Sequence, residues 1–154
     1  MNFQDIEQLG DADLTICGLR IWIHGRQFPQ ASDYWDANWL RVTAYCISTH
    51  SIVRIQDDPC IHLGELNALL DGCERMYATL QGRAELQCME PGLSVTLTAS
   101  GHGHIDVHVS MTPNASGETH LYEDQFDQSY LPPIIQACHA ILATFPIIDP
   151  DGIA

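Results

Sequence analysis

Apolar and polar positions along this chain follow two rhythms, one with a period of two residues and one of three to four. Leu19, Ile21 and Ile23 alternate with Arg20, Trp22 and His24, the pattern of a strand with one face toward a core. Leu14 and Ile16 fall in the opposite phase, which predicts a bulge or turn at Cys17 and Gly18. Residues 26–38, RQFPQASDYWDAN, lose the alternation and read as a loop. Leu40, Val42, Ala44 and Cys46 resume it, and SIVRIQ, residues 51–56, reads as the hairpin partner, ended by an acidic turn at Asp57, Asp58 and Pro59.

The helical rhythm then appears twice. Leu66, Leu69, Leu70, Cys73, Met76, Tyr77 and Leu80 form one apolar stripe, with Gly82 just past its end. Leu131, Ile134, Ile135, Cys138, Ile141, Leu142 and Phe145 repeat the same spacing. Ser129 or Asp127 would cap this second helix, Pro132 and Pro133 fit its first turn, and Pro146 stops it. Between the two stripes lie four strand candidates, AELQCM, LSVTLTAS, HIDVHVSM and ETHLYEDQ. Turns at Pro91 and Gly92, at Gly101 to Gly103, and at Pro113 to Gly117 separate them. Connections this short imply an antiparallel meander. The predicted fold class is α+β: about eight antiparallel strands in one or two sheets, two amphipathic helices on one side or end, in the order ββββαββββα. The whole chain, residues 1–154, reads as one domain, with residues 1–11 a loosely ordered N-terminal segment.

One strand carries candidate chemistry. In GHGHIDVH, residues 101–108, three histidines and an aspartate fall at every second position, and both residue types are ordinary zinc ligands. Placing Val95, Leu97 and Ala99 on the same face as Ile105, Val107 and Val109 fixes the hairpin register. Thr98 then opposes Asp106, Thr96 opposes His108, Ser100 opposes His104, and Gly101, His102 and Gly103 form a three-residue loop. Alternate residues on a strand stand about 6.6 Å apart, so His104 and His108 are separated by about 13 Å. A zinc ion needs every ligand near 2 Å. The opposing strand supplies only serines and threonines, so the run reads as a wet strand face, with no metal or other cofactor expected. Were a metal bound, His104, Asp106 and His108 would be its ligands.

Composition narrows the partner. Twenty acids face six bases, all of them arginine, for a formal charge of -14. Nucleic acid and anionic membranes both require the opposite sign, so neither is an expected partner. Such a field would steer in a cationic protein, and it serves solubility equally well. The first residues, MNFQDIEQLGDADL, hold acids and no apolar core of a signal peptide, and no apolar run reaches the ~20 residues of a membrane span. A cytoplasmic location follows as the expectation. The six cysteines include no C-x-x-C pair and read as buried reduced thiols.

No catalytic constellation emerges. The chain has no G-x-S-x-G, phosphate-binding glycine loop or H-E-x-x-H. Cys138 and His139 are helical neighbours pointing about 100° apart. The acid pairs Asp57–Asp58 and Glu123–Asp124 point to opposite faces of their strands. The loop SDYWDANWL, residues 32–40, is open to two readings. In one, Trp39 plugs the core while Asp33 and Asp36 make turns; in the other, an exposed aromatic and acidic patch anchors a basic partner.

The order GRQFP, DYWDANWL, an amphipathic helix, MEPGLSVTL and DQFDQSYLPPIIQACHAILATFP resembles the WapI-type immunity proteins over about residues 12–146. Its most specific motifs are residues 34–40 and 127–131. The resemblance implies a bacterial cytosolic protein that neutralises the toxin domain of a cell-wall-associated or contact-dependent protein, commonly a nuclease acting on RNA. It carries Asn38, Trp39, Leu40, Asp127, Ser129 and Leu131 over as structural hallmarks. The expected function is therefore a non-enzymatic immunity protein whose partner is a basic toxin domain. Asp33, Tyr34, Asp36, Asp57, Asp58, Glu123 and Asp124 are the candidate contact residues. Two rivals stand beside it: a metal-dependent hydrolase built on the His104, Asp106 and His108 face, and an accessory domain of a larger assembly. The oligomeric state is left open.

Overall fold

The computed structural model describes residues 4–90 and 92–154. Its strands are β1 (Leu14–Ile16), β2 (Leu19–Arg26), β3 (Trp39–Ile47), β4 (Ile52–His62), β5 (Arg83–Gln87), β6 (Leu93–Gly101), β7 (His104–Asn114) and β8 (Glu118–Asp127). The long helices are α3 (Leu63–Thr79) and α4 (Leu131–Thr144), with single turns at α1 (Gln4–Glu7) and α2 (Tyr34–Ala37). Two four-stranded antiparallel sheets result, each in sequence order, β1-β2-β3-β4 and β5-β6-β7-β8. The α+β class and the order ββββαββββα are those the two rhythms predict.

The reason is burial. Leu40, Val42, Ala44 and Cys46 are buried along one face of β3, and Val95, Leu97, Ile105 and Val107 along one face of the second sheet. Leu66, Leu69, Cys73 and Met76 of α3 and Leu131, Ile134, Cys138 and Ile141 of α4 join them in one continuous apolar cluster. Each fully buried aliphatic side chain contributes roughly 1.5–3 kcal/mol. Helix α3 packs so closely on β5 that a methyl group on Gly72 would lie 2.7 Å from Ala84 Cα.

The β6–β7 register matches the sequence reading at Val95↔Val109, Thr96↔His108, Leu97↔Val107, Thr98↔Asp106 and Ala99↔Ile105. The turn differs. Gly101, not Ser100, opposes His104 across a register shift, so the loop is the pair His102 and Gly103, both at positive φ. Ser100 is displaced by the bulge, and its hydroxyl donates to the His104 carbonyl.

Several local expectations are corrected. β4 does not end at Asp57, Asp58 and Pro59 but runs through them to His62. Asp57 adopts φ 46°, and the β3–β4 register shifts between Val42 and Ala44, which makes this segment a bulge and not a turn. The 26–38 stretch is not all loop, because Asp33 caps the short helix α2 by accepting from the Asp36 amide at 2.9 Å. Trp22, on the face opposite Leu19 and Ile21, is buried, packed edge-on against Tyr45 at 5.7 Å. Its indole N–H donates to the Gly10 carbonyl. Tyr77 and Leu80 belong to the apolar stripe of α3 but stand exposed at its end, where Leu80 is a left-handed C-cap. β7 runs on through Pro113 to Asn114. Of the expected N-terminal loose segment, residues 1–3 lie outside the described residues, as does Pro91 of the turn before β6.

Candidate functional site

The motif at residues 34–40 folds around His62. Asp33 starts one helical turn; Tyr34 and Ala37 point inward and Trp35 and Asp36 outward. Tyr34, Trp35 and Trp39 each lie against the His62 ring, at 5.0, 6.0 and 5.1 Å between centroids. His62 is itself buried, and both its nitrogens are engaged. Nδ1 accepts from the Gly64 amide at 3.1 Å, which leaves Nε2 to donate to the Tyr34 carbonyl at 3.2 Å. It thereby serves as N-cap of α3. The capping box is completed by Glu65, whose one carboxylate oxygen accepts from the His62 amide and whose other accepts from the Met89 amide. The Tyr34 hydroxyl fills the space beside Gly64, where a Cβ would collide with it. Trp35 is the outward ring, 51% exposed, held edge-on against Tyr34 at 5.0 Å.

Asn38 ends this turn, and its side chain is fully buried. Its amide nitrogen donates to the Tyr34 carbonyl at 2.7 Å and to the Ile148 carbonyl at 2.8 Å, and its oxygen accepts from the Ile148 amide at 2.9 Å. Arg26 lies beside it, donating to the carbonyls of Ala37 at 2.6 Å and Pro146 at 2.5 Å; partial burial lowers its pKa from the ordinary value. Leu40 is buried in the core and Trp39 half-buried. At the other motif, Asp127 accepts from the Ser129 amide at 2.9 Å and caps the 3-10 turn Gln128–Tyr130 that leads into α4, whose first residue, Leu131, is buried. The hydrogen bonds from Ser129 hold the Asp127 carboxyl below its ordinary value.

The candidate contact residues fall in three places that no hydrogen bond or ion pair joins among the described residues. Tyr34 and Asp36 belong to α2, and Asp33 is its N-cap. Asp57 and Asp58 sit in the β4 bulge, where Asp57 pairs with Arg41 at 2.7 Å. Glu123 and Asp124 are neighbours on β8, at the edge of the second sheet. Glu123 faces His108 at 3.4 Å on the outer face, whereas Asp124 lies opposite Val107 on the inner one. Asp124 borders a groove of about 600 Å³ with Thr15, Cys17, Phe126, Tyr130, Pro133 and Ile134. Burial first, and then the charge and hydrogen bond of Asp124, push the Cys17 thiol up to about 11.

The histidine strand lies as its alternation predicts. Thr96 and Thr98 stand across from His108 and Asp106, and Asp106 accepts from the Gln125 side chain at 2.6 Å. Among the described residues no three of His, Cys, Asp and Glu converge on a point that would hold an ion. All six cysteines are free; four are buried, while Cys17 and Cys88 are partly open. Among the described residues no helix is long and apolar enough to cross a membrane.

Trp35 and His62 are the two residues of this region that sequence reasoning passed over. The signal for His62 was present in its spacing of three from Glu65, with imidazole standing where Ser or Thr usually caps. For Trp35 the sequence offers two tryptophans in five residues and no means of telling which faces out.

No curated protein matches the sequence. Among solved structures, a chain of the CdiA-CT/CdiI toxin and immunity complex from Enterobacter cloacae superposes with a TM-score of 0.42 at 10% identity, over 66% of this chain and 89% of that one. This likeness is too loose to support an argument. The sequence itself is decisive: residues 9–146 match the model of the immunity protein WapI-like family, and the chain belongs to that family.

Proposed function

We propose that this protein binds and neutralises a basic, nuclease-type toxin domain in the bacterial cytoplasm, with no catalysis of its own. The observation that carries the reading is charge. Twenty acids face six arginines, and three of those arginines are occupied internally: Arg41 by Asp57, Arg83 by Glu85, and Arg26 by main-chain carbonyls. The negative field that remains suits a nuclease, which must itself be basic to hold its substrate.

Charge of this kind governs encounter more than affinity. Affinity comes from a few rigid anchors, and the outward Trp35, flanked by Asp33 and Asp36 and braced from behind by Tyr34 and His62, is built as one. The test is to mix the purified chain with the toxin domain encoded beside its gene. Co-elution from a sizing column is expected, together with loss of the toxin's nuclease activity. Two folded proteins that elute separately would remove the inhibitor reading.

A further inference from the structure

β8 has a neighbour on one side only. Among the described residues it pairs with β7 and with no other strand, and β1, across the groove, is the edge of its own sheet. The unpaired side of β8 is identifiable at one amide. The Gln125 N–H is satisfied by the side-chain carboxylate of Asp124 at 2.8 Å, so it is turned away from β7. In an antiparallel ladder such amides alternate, so Leu121 and Glu123 present theirs on the same free side. Beside this edge runs the groove of about 600 Å³ floored by Phe126, Pro133 and Ile134. Tyr130 packs edge-on against Phe126 at 6.3 Å. On the outer face Leu121 is 77% exposed, next to Glu123.

An open edge invites pairing, and charge decides with what. Two copies of β8 would pair about a two-fold axis. An axis at residue 123, 124 or 125, the registers that overlap residues 121–127 best, places Glu123 opposite its own copy, Asp124 opposite its own copy, or Glu123 opposite Asp127. Like charges so placed are destabilising. A strand bearing cations meets the opposite situation. We propose that the free edge of β8 over residues 121–127, with the groove beside it, is a docking track for an extended segment of the basic partner. That segment adds a fifth strand to the second sheet. It alternates, with apolar side chains entering the groove against Phe126 and Ile134 and lysines or arginines on the outer face beside Glu123 and Asp127. The Asp124 carboxylate guards the Gln125 amide until the partner's carbonyl replaces it.

The track rests on the toxin-binding reading, and the test separates the two. Gln125→Pro removes an edge donor that the β7 ladder does not use, a position where proline is tolerated, and Glu123→Lys reverses an outer-face charge. Each is expected to weaken binding of the toxin domain encoded beside the gene at least tenfold while the chain still unfolds cooperatively, with Gln125→Pro giving up, beyond that amide, only the exposed side-chain bond to Asp106, and Arg75→Ala on α3 leaves binding as it was. Equal binding by wild type and both variants overturns the track and leaves the inhibitor reading standing. If Gln125→Pro fails to fold, Glu123→Lys alone decides. If the wild-type chain does not bind the toxin domain, the inhibitor reading falls. The track is then judged with a capped eight-residue peptide of alternating lysine and valine, by hydrogen exchange. Slowed exchange at the amides of Leu121, Glu123 and Gln125 supports it, and unchanged exchange overturns it.

Discussion

Replacing Asn38 by alanine removes a side chain that joins two distant segments. Three of its hydrogen bonds are short, to the Tyr34 carbonyl and to both main-chain groups of Ile148. The fourth contact, from Arg26 at 3.4 Å, is at the limit and adds little. A buried hydrogen bond contributes about 1 kcal/mol net, and stranding its partner costs more than that. The expected loss is therefore about 3 kcal/mol, or a fall in Tm of about 6–12 °C for a domain of this size. Urea and thermal unfolding followed by circular dichroism would measure it. A control fixes the source: in a chain cut after Pro146 the Ile148 partners are gone, and Asn38→Ala should then cost only about 1 kcal/mol. A loss below about 1 kcal/mol in the full chain, or an equal loss in both, would refute the reasoning.

Gly72→Ala reverses the usual sign of a glycine substitution in a helix. Its Cβ would meet Ala84 at 2.7 Å, so we expect destabilisation by roughly 1–3 kcal/mol from overpacking where an open helical site would gain up to ~1 kcal/mol; chemical denaturation gives the sign. Burial raises the thiols of Cys17 and Cys46 to about 11 and those of Cys60, Cys73 and Cys138 to about 12, from 9.0. The native state therefore holds these protons longer than the unfolded chain, and the thiols' contribution to stability is complete below pH 9 and falls as pH rises toward 11–12; a pH series of melting curves with no decline over that alkaline range would contradict this. Iodoacetamide should label Cys17 faster in Asp124→Asn than in the parent at pH 8–9, since the carboxylate helps hold the proton on sulfur; mass spectrometry reads the rate. Association with the toxin domain, measured by stopped flow, should slow at least tenfold from low to high salt while dissociation changes little.

The parts legible in the sequence are those fixed by local periodicity. The face shared by Val95, Leu97, Val107 and Val109 follows from alternation alone, because a slip of one residue would turn all of them to water. The helix stripes follow for the same reason, except at Tyr77 and Leu80, where the helix outruns the surface that would cover it. What periodicity does not encode is where chain segments meet. Asp57, Asp58 and Pro59 have turn chemistry, yet pairing with β3 and the Arg41 ion pair hold them within a bulged strand. Asn38 and Ile148 are 110 positions apart, so no local pattern links them. The candidate contact residues are legible as acids and aromatics, but which of them stand outward is settled only by tertiary packing, as the exchange of roles between buried Tyr34 and open Trp35 illustrates.

The crossover through α3 has a consequence for how the chain can be divided. Residues up to Gln81 hold one complete meander and one long helix, and residues from Gly82 hold the other meander and the other long helix. Neither half owns a finished interior, because the apolar cluster draws on both. A break at that junction would leave two fragments that are each incomplete and mutually complementary, so the molecule is suited to being severed there and reconstituted on mixing.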